Sequence, residues 1–351
     1  MRIELPEQIG SYQIYEEVLP KLAYHYSQRF NQEEISFSLR KVKYIKAEAI
    51  PLFMCILNVM KNYHNKPVEL ELVYNPFLLY FLEHSQFFYY AGLKYNFIKY
   101  DHELIGGFSQ YIKKEYRDKH LLHVYNPVLD YFNETLQEQE RIRAMIFDDM
   151  AYYVIRNDFQ EIFCDVMSIS EQNREEYMVL LAEVIANSRL YSQSNCYAFM
   201  QTGKSGTILS VADVGLGFGA SLKRKKESGM IKEDERKYFM KLKEELNQEG
   251  YGEEYSEYFD IMESLYYSEK KKRINLFYLK DRVIHNKGIV KFHTGSTQVS
   301  FSYSYCQNCI KGIGDCTKCL LKAKRHERSE AGVIIRKGKL AGVHIEIQFE
   351  R

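Results

Sequence analysis

The stretch Gln172-Asn-Arg-Glu-Glu-Tyr-Met-Val-Leu-Leu-Ala-Glu-Val-Ile-Ala-Asn-Ser-Arg-Leu190 organises the second half of the chain. Tyr177, Leu180, Leu181, Val184, Ile185 and Ser188 fall at i, i+3, i+4, i+7, i+8 and i+11, the spacing of one helix face. Glu183 and Asn187, four residues apart, then share a neighbouring face. Downstream, Cys196-Tyr-Ala-Phe-Met200 and Thr207-Ile-Leu-Ser-Val-Ala212 flank Gly203-Lys-Ser-Gly206 and read as a hairpin, after which comes Asp213-Val-Gly-Leu-Gly-Phe218.

Two of these segments carry a resemblance. Leu181-Ala-Glu-Val-Ile-Ala-Asn-Ser188 resembles the N box, and Asp213-Val-Gly-Leu-Gly217 the D-x-G-x-G box, of the GHKL superfamily of ATP-binding domains found in DNA gyrase, histidine kinases and anti-sigma-factor kinases. The resemblance implies that Asn187 holds Mg²⁺ against the nucleotide phosphates and that Glu183 orients or deprotonates the attacking group. Magnesium accepts neutral oxygen ligands and keeps most of its water, so an asparagine and phosphates suffice, leaving Glu183 for general-base work. A carboxylate at a strand end accepts from the adenine amino group, a donor guanine lacks at that ring position, and glycines let backbone approach the nucleotide. Asp213 would therefore select adenine, with Gly215 and Gly217 making room.

The later elements extend the likeness over about residues 165–350. Leu276-Phe-Tyr-Leu-Lys-Asp281 begins an amphipathic helix, Ile289-Val-Lys-Phe-His293 and Thr297-Gln-Val-Ser-Phe-Ser-Tyr303 read as a hairpin turning at Thr294-Gly295, and Val343-His-Ile-Glu-Ile347 is a last strand. Between Gly219 and Arg273, in the position of the ATP lid, lies a segment crowded with Lys, Glu and Tyr. Its bland reading is a solvated, mobile loop with helices, and its functional one is that cations from Lys223-Arg-Lys-Lys226 or Lys270-Lys-Lys-Arg273 meet phosphate on closure. The pattern departs from the family twice. Lys272-Arg-Ile-Asn-Leu276 has arginine and asparagine where the second glycine box has glycines, and Gly342-Val343 stands where Gly-Thr belongs. The Arg273 guanidinium could substitute for backbone amides on phosphate.

Before this domain, Ile35-Ser-Phe-Ser-Leu39 alternates like a half-buried strand, and Phe53, Ile56, Leu57 and Met60 follow at helix spacing. The unit recurs as Val68, Leu70 and Leu72, then Asn75-Pro76 as a helix start and Phe77-Leu-Leu-Tyr-Phe-Leu82 as its apolar face. Strand–helix alternation makes an α/β sandwich, and this one resembles a STAS-type module. Residues 126–160, with Leu136, Ile142, Met145 and Ile146 at helical intervals, read as a connecting helix. It contains no histidine, so autophosphorylation of the histidine-kinase type is not expected. The expectation is thus an α/β protein of two domains: a STAS-like α/β sandwich at 1–125 and, at 161–351, a GHKL-type (Bergerat) α/β sandwich with a mixed sheet, a lid at about 219–273 and a four-cysteine knuckle at 306–319.

Cys306-x2-Cys309 and Cys316-x2-Cys319 form two close pairs able to wrap a metal. Zinc is the first choice, with an iron–sulfur cluster or redox-linked thiols as alternatives. Four thiolates close the coordination sphere, so the site would be structural or a docking knob. Lys322, Lys324, Arg325 and Arg328 beside it are either a solvated basic segment or a contact for a protein or nucleic acid. Cys55, Cys164 and Cys196 read as inert core thiols. His285 and His293 read as surface or core histidines and receive no role.

Composition narrows the partners little. Lys and Arg number 48 against 47 Asp and Glu, a formal charge of +1, so there is no global pull toward nucleic acid or an anionic membrane. No 18 uncharged apolar residues follow one another and no signal-like run opens the chain, which points to a cytoplasmic protein without membrane contact. Thirty tyrosines and 21 phenylalanines promise aromatic packing but no particular ligand. The functional expectation is a regulatory protein that binds ATP with Mg²⁺, a slow ATPase or anti-sigma-like kinase with Glu183 as base. The alternatives are a non-catalytic nucleotide-dependent switch and a nucleic-acid contact at the knuckle; an unidentified protein partner or a homodimer stays open.

Overall fold

The computed structural model describes residues 1–27, 34–105, 119–159, 162, 171–203, 206–271, 275–303, 312–322 and 332–349. The chain is mixed α/β with several sheets. Its first part threads β1 (Arg2–Glu4), β2 (Gln8–Ile9), helix α1 over 11–27, β3 (Ser36–Ser38), β4 (Tyr44–Ile45), α2 (Ala49–His64), β5 (Val68–Glu71), α3 (Pro76–His84) and β6 (Ile98–Lys99). Strands β1, β3, β5 and β6 make a four-stranded parallel sheet in that order, and β2 and β4 pair separately. The alternating residues near 35–39 and 68–72 fall on β3 and β5. Asn75 caps α3, its Oδ1 accepting from Leu78 N at 3.3 Å, with Pro76 in the first turn where a missing N–H costs nothing. Helix α2 is buried nearly all round, from Ala49 to Leu57 without a break.

The second part continues with β7 (Lys119–Tyr125), α4 (Leu136–Asp149), α5 (Glu171–Tyr191), β8 (Cys196–Gly203), β9 (Gly206–Ala212), α6 (Gly217–Glu227), α7 (Glu233–Gln248), α8 (Ser256–Glu269), α9 (Leu276–His285), β10 (Ile289–Ser302), α10 (Ile313–Lys322) and β11 (Gly332–Phe349). Its sheet runs β10-β11-β9-β8-β7, and every pairing in it is antiparallel, not mixed as expected. Strand β7 comes from residues that sequence patterning grouped with the first domain, but it pairs with β8 from Tyr125↔Cys196 to Lys119↔Thr202. The β8–β9 hairpin closes at Gly203↔Gly206, where the sequence puts it.

Both faces of this sheet are covered. Cys196, Ala198 and Met200 point into a core shared with α5, α8 and α9. Tyr197 and Phe199, one residue out of phase, point into a core built from the first part of the chain. Period-two alternation thus splits a continuous apolar strand between two cores. The STAS-like module of the sequence reading therefore has its apolar residues in one cluster with Leu122, Tyr197, Phe199, Ala212 and Leu340 of the five-stranded sheet.

The hairpin anticipated at Thr294-Gly295 does not form. Strand β10 runs straight through and pairs along its length with β11, with register shifts on either side of Gly295. Gly295 lies at φ 58°, and a bulge absorbs that conformation as readily as a turn does. Glu257 on α8 fixes it: its carboxylate accepts from Ser296 N (2.8 Å), Ser296 Oγ (3.0 Å) and Thr297 Oγ1 (3.1 Å), and Lys339 Nζ lies 2.6 Å away. These contacts hold the Glu257 carboxyl below the usual range although burial alone would raise it. The part of the 219–273 segment that is described, 219–271, is mostly helical. It comprises most of α6, then α7 and α8, and α8 buries Tyr258, Phe259, Ile261, Met262 and Leu265. No described helix is long and apolar enough to cross a membrane.

Candidate functional site

A cleft lies between α5, the start of α6 and the α8–α9 junction. Its walls include Glu183, Asn187, Asp213 and Gly217, four residues singled out by sequence, which the fold brings together from three elements. Helix α5 turns Leu180, Leu181, Val184 and Ile185 inward as their spacing requires. Glu183, on the adjoining face, is 1 % exposed and does not stand as an unencumbered base. Arg143 Nη2, from α4, donates to both its oxygens at 3.0 and 2.9 Å, and Asn187 Nδ2 donates at 2.7 Å. The guanidinium and the amide between them engage both carboxylate oxygens. The bond to Glu183 also orients the Asn187 amide: its nitrogen is committed, so its oxygen is the atom left to accept a donor or a cation.

Asp213 follows β9 and is 3 % exposed. Oδ2 accepts from Ser188 Oγ at 2.9 Å, and Oδ1 accepts from Gly215 N at 3.0 Å and Val343 N at 3.3 Å. Burial pushes this carboxyl up to about 6, against the three hydrogen bonds, which pull it down. Ser188, one turn along α5 from Val184, thus gives Asp213 a hydroxyl donor. Nearby Val184, Val211, Phe218, Val343 and Ile345 give the cleft an apolar wall beside that acceptor.

The two glycines have packing reasons of their own. A Cβ on Gly215 would come within 1.9 Å of the Ser192 carbonyl oxygen. Gly217, at φ 69°, opens α6 in a left-handed conformation, and a Cβ there would lie 2.9 Å from Thr294 Oγ1. Gly217 lines the cleft, whereas the tight contact of Gly215 is with the chain after α5.

Cations reach the cleft from both ends of the 219–271 segment. Lys225 sits over the Tyr191 ring with Nζ 3.5 Å from its centroid, and Lys271 and Arg143 join it in the wall. Lys226 instead pairs with Glu263 at 2.5 Å. Arg273, to which a guanidinium fork on phosphate was assigned from sequence, lies outside the described residues. Asn275, in place of a glycine-box residue, caps α9 by accepting from Tyr278 N at 3.1 Å and donates to the carbonyls of Ser268 and Lys271. Arg143, Ser188, Lys225, Lys271 and Asn275 were not assigned individual roles from sequence.

The four-cysteine cluster is half described. Cys316, buried, and Cys319, exposed, stand one turn apart on α10; Cys306 and Cys309 lie outside the described residues. Of the neighbouring cations, Lys322 pairs with Glu249 at 3.1 Å and Lys318 with Glu245 at 2.9 Å, while Lys324, Arg325 and Arg328 lie outside the described residues. No family model, curated protein or solved structure matches the chain.

Proposed function

We propose that this chain binds ATP with Mg²⁺ in the α5–α6 cleft and acts as a nucleotide-dependent regulator of a protein partner, as its resemblance to GHKL-type ATP-binding domains suggests. One observation carries the reading: Glu183, Asn187 and Asp213, noted as separate motifs, line the same cleft as two lysines and an arginine. The donor and acceptor set fits the ligand. A carboxylate offers about four lone-pair sites; Asp213 uses three on its own chain, and the fourth can accept the adenine amino group. Asn187 Oδ1 is the atom for the metal, and Lys225 and Lys271 supply positive charge for phosphates. Bound Mg²⁺ would neutralise phosphate charge; everything else asked of the cleft is recognition.

Within that reading the geometry favours binding over rapid turnover. A general base must be within reach of a proton and poised to take it, and Glu183 is instead engaged by Arg143 and Asn187. The switch reading thus gains on the slow ATPase or kinase. Zinc at the four cysteines rests on their spacing. The nucleic-acid alternative is weakened by the pairing of Lys322 and Lys318 with glutamates.

The test is a binding and turnover experiment on wild type and Glu183→Gln with labelled Mg-ATP. Wild type is expected to retain ATP intact over many minutes, and the variant to bind within about three-fold of wild type, since glutamine keeps an acceptor for Arg143. Rapid phosphate release by wild type that falls about 100-fold in Glu183→Gln, the range for loss of a general base, would instead establish Glu183 as catalytic.

A further inference from the structure

The sheet face turned toward the first part of the chain carries a second cluster, independent of the cleft. In the β10–β11 register His293 faces His344 and Lys291 faces Glu346, and in the β11–β9 register Glu346 faces Ser210. Val290, Phe292, Ile345 and Ile347 alternate with these residues into the opposite core. The polar set is therefore confined to one side by strand periodicity. His293, His344 and Glu346 are exposed by 1, 2 and 5 %, and Tyr15 from α1 stacks on His293 with ring centroids 5.4 Å apart.

Such a cluster should be saturated with hydrogen bonds, because a buried polar atom without a partner costs about 1–3 kcal/mol. It is not. Among the described residues, both ring nitrogens of His293, Nδ1 of His344 and Oε1 of Glu346 are buried without a well-aligned hydrogen bond, the approach of His293 Nε2 to Glu346 Oε1 being close in distance only. The hydrogen bonds that are present surround those atoms. Ser210 Oγ donates to the Glu48 carbonyl at 3.3 Å and lies 3.0 Å from His344 Nε2. In the tautomer that gives the hydroxyl proton to the carbonyl, His344 Nε2 donates to Ser210 and Nδ1 carries the lone pair. That lone pair lies 3.6 Å from Glu346 Oε1, and His293 Nε2 lies 3.2 Å from the same oxygen. Lys291 Nζ takes the other carboxylate oxygen at 2.9 Å.

We propose that His293, His344 and Glu346 bind a divalent transition-metal ion, zinc by preference, through one atom each. Two lone pairs turned on each other in a dry core repel unless a cation lies between them. Ligand atoms on a tetrahedral ion with bonds of about 2.0–2.2 Å are about 3.3–3.6 Å apart; the two nitrogen–oxygen pairs, at 3.2 and 3.6 Å, are close to that, and any wider pair of the set would close up on the ion. All three ligand atoms lie within 4.8 Å of one another. Ser210 on His344 and Lys291 on Glu346 are the outer partners that orient metal ligands. Two imidazoles and a carboxylate suit zinc better than magnesium or calcium. With Tyr15 from α1 and the Glu48 carbonyl before α2 against the site, the ion would brace the first part of the chain on the sheet.

The experiment measures bound metal in full-length protein folded with Zn²⁺ or Co²⁺ and passed through a desalting column. Co²⁺ separates this site from the four-cysteine cluster, because nitrogen–oxygen ligation lacks the intense charge-transfer absorption of thiolate ligation. Wild type is expected to carry one equivalent of Co²⁺ beyond any held by thiolates, and His344→Gln and Glu346→Gln to lose that equivalent with the thiolate absorption unchanged. If either variant fails to fold, wild type alone decides the question. Co²⁺ bound only through thiolates, or not at all, overturns the proposal, as does a folded His344→Gln protein that keeps the full metal content.

Discussion

Replacing Arg143 with alanine is expected to cost about 3–5 kcal/mol of stability, the range for removing one partner of a buried ion pair. Arg143 and Glu183 have side chains only 10 and 1 % exposed and meet at 2.9 Å. Alanine would take from the buried Glu183 carboxylate the guanidinium that donates to both its oxygens, and the Asn187 amide at 2.7 Å carries no charge to replace it. The measurement is the urea midpoint of wild type and Arg143→Ala. Because the penalty comes from removing one member of a buried ion pair, the double variant Arg143→Met with Glu183→Leu should recover most of the loss. A single-variant loss below about 1 kcal/mol, the scale of an exposed pair, would show that the pair does not organise α4 against α5.

Asp213→Asn is expected to weaken Mg-ATP binding at least 100-fold, which corresponds to about 2.8 kcal/mol at about 1.4 per decade. Three donors converge on this side chain, from Ser188, Gly215 and Val343. An amide has one oxygen for them, and its own N–H₂ would face either these donors or the adenine amino group. The same carboxyl sets a pH dependence. With burial holding it at about 6, Asp213 becomes protonated as pH falls through that value, and the acceptor for adenine is lost. ATP affinity should decline about tenfold per unit below pH 6 through this group, and the Asp213→Asn variant should lack that inflection. For stability the sign is opposite. A folded-state value above the ordinary carboxyl range means the native chain holds more protons than the unfolded one between about pH 4 and 6. Asp213 alone therefore makes the ligand-free protein less stable as pH rises through that window.

Local pattern made some of this legible and left other parts out of reach. Helix α5 and the β8–β9 hairpin could be read because their signals, apolar spacing and a Gly-rich turn, lie within the elements themselves. So could the Asn75-Pro76 helix start. The course of β10 could not, because whether Gly295 turns or bulges is decided by Glu257, 38 residues earlier on α8. Arg143 was hidden for the same reason: its partner lies 40 positions away, and a lone arginine on an amphipathic helix reads as solvated. The edge strand β7 was not read as a strand, its residues being grouped with the first part of the chain, because strand pairing is non-local. The histidine cluster left one local trace, Lys291-x-His293 and His344-x-Glu346 alternating with large apolar residues. In a strand covered on one side that alternation means an exposed polar face; here the first part of the chain covers the second side, so the same pattern marks a buried cluster.

The most direct test of ATP recognition by this cleft is a calorimetric titration of wild-type protein with Mg-ATP and, separately, Mg-GTP. Saturable binding of one ATP per chain, at least tenfold tighter than GTP, is the predicted result, since the Asp213 carboxylate can accept from the adenine amino group but meets a carbonyl oxygen at that position of guanine. Absence of ATP binding at millimolar concentration, or equal affinity for the two nucleotides, would contradict it.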